Sequence, residues 1–84
     1  MTVKDVRVGA ALEARPAALF VQAASRYRSE IKIRIENKAV NAKSIMGVLS
    51  IGILDGCTVT VAADGEDEAL AVEELERFLS MPRY

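Results

Sequence analysis

Two charged side chains, Glu13 and Arg15, lie beside Pro16 in a segment that predicts the start of a helix. Proline suits the first position of a helix, because its missing N–H would have no intrahelical acceptor there. The first turn of a helix also offers unpaired N–H groups and a partial positive charge, which together favour a bound anion. Arg15 adds a permanently charged guanidinium with several donors. These residues therefore predict an anion-binding site.

A hydroxyl group marks the predicted start of a second, shorter helix. Ser44 precedes residues 45–51, which read Ile-Met-Gly-Val-Leu-Ser-Ile, and Gly52 follows them. A serine here caps the helix by accepting a backbone N–H, which contributes about 1 kcal/mol. It can also carry a phosphate, whose charge is favourable at a helix N-terminus. Val48 and Leu49 are expected to pack in the core. Because Ile45, Met46, Val48 and Leu49 cannot all point inward on a helix of two turns, one or two of the four should form an exposed apolar patch.

No set of residues in the chain predicts catalysis or a bound cofactor. The chain contains no histidine, and no serine or cysteine has an evident base beside it, so a nucleophilic triad is not expected. The acids at positions 64, 66, 67 and 68 lack the ligand spacing of a calcium loop and are better explained as a solvated helix start. Cys57 is expected to be a small buried or half-buried filler. We therefore expect no enzyme activity, no metal and no cofactor.

Composition indicates one small domain over residues 1–84. Of the 84 residues, 51% are hydrophobic and only 5% aromatic, so the core should be aliphatic. The formal net charge of −1 gives no sign of direct nucleic-acid binding. The single cysteine fits a reducing compartment, the first residues do not resemble a signal peptide, and no stretch is apolar for long enough to span a membrane. These features predict a cytoplasmic protein with no membrane partner.

Hydrophobic periodicity predicts four strands and three helices. Strict alternation of Ile31, Ile33 and Ile35 with charged residues predicts a half-buried strand. The predicted elements are strands at 2–8, 31–35, 39–41 and 58–62, helices at 15–27, 45–51 and 66–79, and an end of regular structure at Pro82. The side chains that the last helix should bury are Ala69, Val72, Leu75 and Leu79. The order β-α-β-β-α-β-α predicts an α+β domain of two layers.

Three segments resemble the HPr family, the small phosphocarriers of the bacterial sugar phosphotransferase system. Residues 11–17 read Ala-Leu-Glu-Ala-Arg-Pro-Ala and are similar to the family's active-site segment, Gly-Leu-His-Ala-Arg-Pro-Ala. Residues 41–50 resemble its regulatory-serine segment, and residues 65–69 resemble the turn that opens its last helix. The matches occur in the expected order over nearly the whole chain. The resemblance implies an open-faced sandwich with a four-stranded antiparallel sheet covered by helices on one face.

The resemblance also implies that Glu13 occupies the position of the phosphorylated histidine. A carboxylate has no imidazole nitrogen on which to form a phosphoramidate, so we expect a chain that is inert as a phosphocarrier, as in HPr-like variants without the histidine. Glu13 is then either a favourable acid at a helix start, worth about 0.3–1 kcal/mol, or a mimic of the phosphorylated carrier. Ala10 and Ala11 depart from the family's pattern as well, which indicates that the whole site has changed.

For Ser44, the resemblance implies phosphorylation by HPr kinase/phosphorylase. It also implies a docking surface that Gln22 borders and that consists of Arg15, Phe20, Ile45, Met46 and Leu49. The implied partners are that kinase, a catabolite-control repressor of the LacI type, and metabolic enzymes. The leading hypothesis is a regulatory HPr-like protein that acts as a corepressor once phosphorylated. The alternatives are an unphosphorylated module that regulates a metabolic enzyme and a degenerate phosphocarrier.

Overall fold

The structure, a computed structural model, describes residues 1–81. Its elements are β1 (Thr2–Arg7), α1 (Ala14–Ser25), β2 (Glu30–Ile35), β3 (Lys38–Asn41), α2 (Ile45–Ile51), β4 (Thr58–Asp64) and α3 (Glu68–Ser80). The predicted order β-α-β-β-α-β-α is confirmed. The prediction that Pro82 ends regular structure lies outside the described residues.

The strands form one antiparallel sheet in the spatial order β1-β4-β2-β3. Val6 lies opposite Val59 and Ile33 opposite Val61, so apolar residues of adjacent strands share one face. Helix α3 packs on β1 and β4, α2 packs on β3, and α1 packs against both other helices. The predicted open-faced α+β sandwich is therefore confirmed. Among residues 1–81, none of the helices combines the length and the apolar content that crossing a bilayer requires.

The core is aliphatic, as the composition predicts. In β2, Ile31 and Ile33 are buried while Lys32 and Arg34 are exposed, which is the alternation of a strand with one covered face. Complete burial of an isoleucine, leucine or valine side chain contributes about 1.5–3 kcal/mol, so the covered face supplies most of the driving force for folding. The largest side chains buried with β2 are Phe20, Ile53, Leu75 and Leu79.

The start of α1 differs from the prediction by its position. The helix begins at Ala14, so Pro16 occupies its third position rather than its first. The first intrahelical bond is donated by the Ala17 N–H to the Glu13 carbonyl oxygen at 2.8 Å. Proline is tolerated at the third position for the same reason as at the first, because no acceptor within the helix is available to an N–H there.

The last strand and the last helix also differ from the sequence prediction. Strand β4 continues to Asp64, since Ala63 pairs with Ile31 and extends the ladder, and α3 accordingly begins only at Glu68. Ala69 is exposed, and the prediction that it is buried is wrong. It lies six residues before Leu75, about 120° around a helix of 3.6 residues per turn, so it points away from the buried face. Ala71 takes the buried place instead.

Candidate functional site

Glu13 is the N-cap residue of α1. Its backbone is extended, with φ −83° and ψ −173°, and its exposed side chain makes no capping hydrogen bond. Within residues 1–81, the N–H groups of Ala14 and Arg15 therefore have no acceptor, and Pro16 has no N–H to offer. The start of α1 keeps the free donors that favour an anion. The carboxylate at position 13 places a fixed negative charge beside them.

Arg15 lies on the exposed first turn of α1. No carboxylate among the described residues forms an ion pair with its guanidinium. The start of α1 thus brings together one cation and two free backbone N–H groups that are exposed, and anion binding there stays a prediction. A partner that brings a carboxylate or a phosphate would find donors that no group of this chain has already engaged.

The loop before α1 is anchored from two sides. The Leu12 N–H donates to the Ile53 carbonyl oxygen at 3.0 Å, and the Gly9 N–H donates to the Leu79 carbonyl oxygen at 2.8 Å. A side chain at Gly9 would put a Cβ only 2.4 Å from the Ser80 carbonyl oxygen, so the close approach to the end of α3 requires glycine. Since Ile53 lies two residues after the end of α2, these bonds hold the start of α1 beside the segment that leaves α2.

Ser44 caps α2 in the predicted way. Its Oγ accepts the Gly47 N–H at 3.1 Å, and its carbonyl oxygen accepts the Val48 N–H at 2.9 Å. Its own N–H donates to the Asn41 carbonyl oxygen at 3.1 Å, so the serine is fixed to the end of β3. The prediction of an N-cap is confirmed. The side chain is half-buried, and Oγ acts only as an acceptor among residues 1–81.

The residue before this cap is held in place as well. The Lys43 ammonium donates to the Tyr27 carbonyl oxygen at 2.6 Å, across the gap between the end of α1 and the start of α2. Its backbone N–H donates to Asn41 Oδ1 at 2.8 Å. Gly47 lies close to β3, because a Cβ there would be 3.3 Å from the Val40 Cβ. The segment around Ser44 is therefore held by hydrogen bonds to β3 and to the end of α1.

Helix α2 divides its apolar side chains between the core and the surface. Val48 and Ile51 are buried, while Ile45, Met46 and Leu49 are 37%, 76% and 41% exposed. We call the last three the α2 patch. Leu49, for which the sequence indicated both core packing and a place in the docking surface, belongs to the surface. A cluster of exposed apolar side chains with a methionine at its centre is typical of protein-binding surfaces.

Phe20 does not belong to this surface, and its prediction as a docking residue is wrong. The side chain is fully buried, and its ring packs edge to face against Phe78 with ring centroids 5.5 Å apart. The large apolar residue that α1 does expose is Leu19, which is 48% exposed. The spacing in the sequence could have identified Leu19 as a surface residue, because it follows Arg15 by four residues and both side chains therefore lie on one face of the helix. Gln22 is exposed, as expected.

The acids at the start of α3 serve the fold. Asp67 accepts hydrogen bonds from the Ser29 hydroxyl and from the Arg28 and Ser29 N–H groups, the latter two at 2.8 and 3.0 Å. The Ser29 hydroxyl and then the Arg28 N–H hold the pKa of Asp67 below its usual range. Bonds from the Thr2 hydroxyl, the Gly65 N–H and the N-terminal amine lower the pKa of Glu68 to about 2. These carboxylates join α3 to β1 and to the turn before β2.

Comparison with known proteins agrees with this geometry. Residues 4–81 match the family model described as the PTS HPr component phosphorylation site. The HPr-like protein Crh of Halalkalibacterium halodurans is 51% identical over 75 residues, which cover 89% of each chain. The HPr-like protein Crh of Bacillus subtilis is 48% identical over 75 residues, covering 89% of this chain and 88% of that protein.

A solved structure extends the agreement to the backbone. The crystal structure of the phosphocarrier protein HPr from Bacillus anthracis superposes with a TM-score of 0.90 at 44% sequence identity, covering 93% of this chain and 95% of that one. With a family match over most of its residues and relatives near half identity, this chain belongs to the HPr family as an HPr-like protein of the Crh type.

Proposed function

We propose that this Crh-type regulatory protein is switched by phosphorylation of Ser44 and acts by binding partner proteins. One observation carries the proposal: the Ser44 hydroxyl lies at the start of α2, directly beside the exposed side chains of Ile45 and Met46. A phosphate there adds about two negative charges at the rim of an apolar surface. The switch would change what the surface attracts, while the helix keeps its cap.

The chemistry at Ser44 is an ordinary phosphoryl transfer. Ser44 Oγ bonds to the γ-phosphorus of ATP, the bond to the bridging oxygen of ADP breaks, and the hydroxyl proton passes to a base of the kinase. Oγ accepts one N–H, from Gly47, and its proton has no acceptor within residues 1–81. Loss of that proton therefore breaks no bond of the described structure. The phosphate would lie at a helix N-terminus, where the dipole favours negative charge.

The proposed partners follow from the charges and apolar groups of the site. HPr kinase/phosphorylase would bind the segment around Ser44. A LacI-type catabolite-control repressor would contact the α2 patch, with an arginine on the phosphate and acidic groups on Arg15. In that role the chain is a corepressor in the cytoplasm, the repressor makes all contacts to DNA, and the chain itself is not an enzyme.

A second candidate function rests on the exposure of the α2 patch in the unmodified chain. Met46 is 76% exposed without any phosphate. A module that regulates a metabolic enzyme through this apolar surface alone would need no kinase. The histidine phosphocarrier is not a candidate, because the chain has no histidine.

The first experiment asks whether Ser44 accepts phosphate. Purified HPr kinase/phosphorylase with ATP should add one phosphate to the wild type, as measured by intact mass, and none to Ser44→Ala. Ser50→Ala is the matched control, because Ser50 lies on the same helix, is exposed and bonds only to the Gly47 carbonyl oxygen among the described residues. It should be phosphorylated like the wild type. An unmodified wild type would contradict the proposed switch.

The second experiment asks whether the phosphate changes recognition. The repressor should bind the phosphorylated chain about tenfold more tightly, which corresponds to about 1.4 kcal/mol. Met46→Ala should weaken binding of both forms, since it removes apolar area from the patch. If phosphorylation leaves every partner affinity unchanged while Met46→Ala still weakens binding, the unswitched module becomes the better description.

A further inference from the structure

The sheet has a second face, on the side away from the helices. Its side chains alternate with the buried valines and isoleucines, and several of them are small or apolar. Val3, which is 55% exposed, lies opposite Ala62 in the β1–β4 register. Together with Met1 and Ala39, these two residues line a depression of about 310 Å³. We call this surface the open face.

Two cations border the depression. Lys32 and Arg34 lie two positions apart on β2, opposite Ala62 and Thr60, and both line the depression. Neither forms an ion pair within residues 1–81. In the described part of the chain, the basic side chains that contact a carboxylate are Lys4, Arg26, Arg28 and Arg77. The acid on the same row, Asp5, instead accepts a hydrogen bond from Thr60 Oγ1 at 2.7 Å. The middle of the open face thus combines apolar contact area with two unpaired positive charges.

The charge pattern argues against a second copy of this chain as the occupant. Along β2, the open face presents Glu30, Lys32 and Arg34 in that order. A two-fold axis over the depression, between Lys32 and Arg34, would stack lysine on arginine if the two β2 strands ran antiparallel, and an axis along β2 would stack each residue on its own copy. Both arrangements place like charges opposite each other, which is costly at an interface. The complementary occupant is an acidic one.

We propose that the open face binds an extended acidic segment of a partner protein, with two carboxylates at Lys32 and Arg34 and an apolar side chain in the depression. In an extended chain, residues two positions apart are about 6.6–6.8 Å from each other and point to the same side. That spacing is the spacing of Lys32 and Arg34 along β2. A segment with acid, spacer and acid, followed by a second spacer and an apolar residue, presents all three groups to one face.

This surface is separate from the one proposed for regulation. The α2 patch belongs to a helix on the covered side of the sheet, and the open face lies on the other side. Partners at the two surfaces would not collide, so one copy of the chain could hold two proteins together. Binding at the open face also does not require Ser44, and Ser44→Ala should leave it unchanged.

The test uses the intact ¹⁵N-labelled chain and two synthetic peptides. The probe reads Gly-Glu-Ser-Glu-Ser-Leu-Ser-Gly, and the control peptide has glutamine in place of both glutamates. The probe should shift the amide signals of β1, β2 and β4 and spare those of α1 and α2. The control peptide should bind at least about tenfold more weakly, because it cannot pair with the two cations. Shifts confined to α1 and α2, equal binding of both peptides, or no binding at about 2 mM would overturn the proposal.

Variants locate the effect on the chain. Lys32→Gln/Arg34→Gln should lower the affinity for the probe about tenfold or more. Lys38→Gln/Arg77→Gln removes the same charge elsewhere, since Lys38 lies opposite Ile35 on the covered side and Arg77 is on α3. This control should bind like the wild type. An equal loss of affinity for the probe in both double variants would overturn the proposal. A concentration-dependent dimer of the wild type that Lys32→Gln/Arg34→Gln abolishes and the control variant keeps would overturn it as well.

Discussion

The starts of α1 and α2 have the same backbone plan and different side-chain chemistry. Both N-cap residues are extended, but Glu13 makes no capping bond, while Ser44 Oγ accepts the Gly47 N–H at 3.1 Å. Glu13 carries a fixed charge, and Ser44 carries a hydroxyl whose charge only modification can change. The difference teaches that a helix N-terminus supplies a general preference for anions, and the residue at the cap decides whether that preference can be switched.

The largest expected effect, and the strongest test of the comparison between Glu13 and Ser44, is phosphorylation at position 13. We expect the wild type to gain no mass with Enzyme I and phosphoenolpyruvate, and Glu13→His to gain up to one phosphate. The gain should be partial, because Ala10 and Ala11 also depart from the family's active-site segment. Intact mass spectrometry measures both. A stoichiometric gain on the wild type that Glu13→Gln abolishes would contradict the view that position 13 is inert.

The next largest effect is a difference in stability between a variant in the core of α1 and a variant on the surface of α2. Phe20→Ala should destabilise the domain by about 3–5 kcal/mol, because it empties a buried site beside Phe78. Met46→Ala should change the free energy of unfolding by less than about 1 kcal/mol, since the side chain is exposed. Urea denaturation measures both. An unfolded Met46→Ala variant would show that methionine contributes to the core after all.

A smaller effect compares the two caps directly. Ser44→Ala should cost about 1 kcal/mol, because it removes the acceptor of the Gly47 N–H. Glu13→Ala should cost less, at most about 0.3–1 kcal/mol, since only the interaction of its charge with the helix dipole is lost. High salt should reduce the second cost and leave the first nearly unchanged. Equal costs with equal salt dependence would mean that the side chain of Glu13 does form a cap in solution.

The smallest expected effect is a pH dependence of stability at the start of α3, where the carboxylates of Asp67 and Glu68 accept hydrogen bonds from other parts of the chain. The pKa of Glu68 is lowered from 4.5 to about 2 in the folded state, and that of Asp67 is lowered as well. The folded state therefore binds fewer protons than the unfolded chain, so stability falls as the pH drops from about 4.5 towards 2. Urea midpoints at about pH 7 and pH 3 should differ less for Glu68→Gln than for the wild type. An identical difference would contradict the role of Glu68.

Strong local patterns made most of the fold predictable. The alternation in β2 and the two residues that flank α2, Ser44 and Gly52, are local features of the sequence. They therefore predicted these two elements nearly correctly. The errors arose where contacts between residues far apart in the chain determine the end of an element or the face that is covered. Strand β4 runs to Asp64 because Ile31 pairs with Ala63. The covered side of α3 includes Ala71 rather than Ala69, because Ala71 precedes Leu75 by four residues, about one turn, and so lies on the same face of the helix.

The sequence by itself determined which chemistry is possible at each position: no imidazole at position 13, a hydroxyl at position 44, and apolar side chains on α1 and α2. Only the tertiary structure decided which of those side chains face solvent. Phe20 and Leu19 are adjacent on one helix, yet the first is fully buried and the second 48% exposed. The physical reason is that burial depends on where α1 meets α2, α3 and the sheet, and those contacts join residues far apart in the chain.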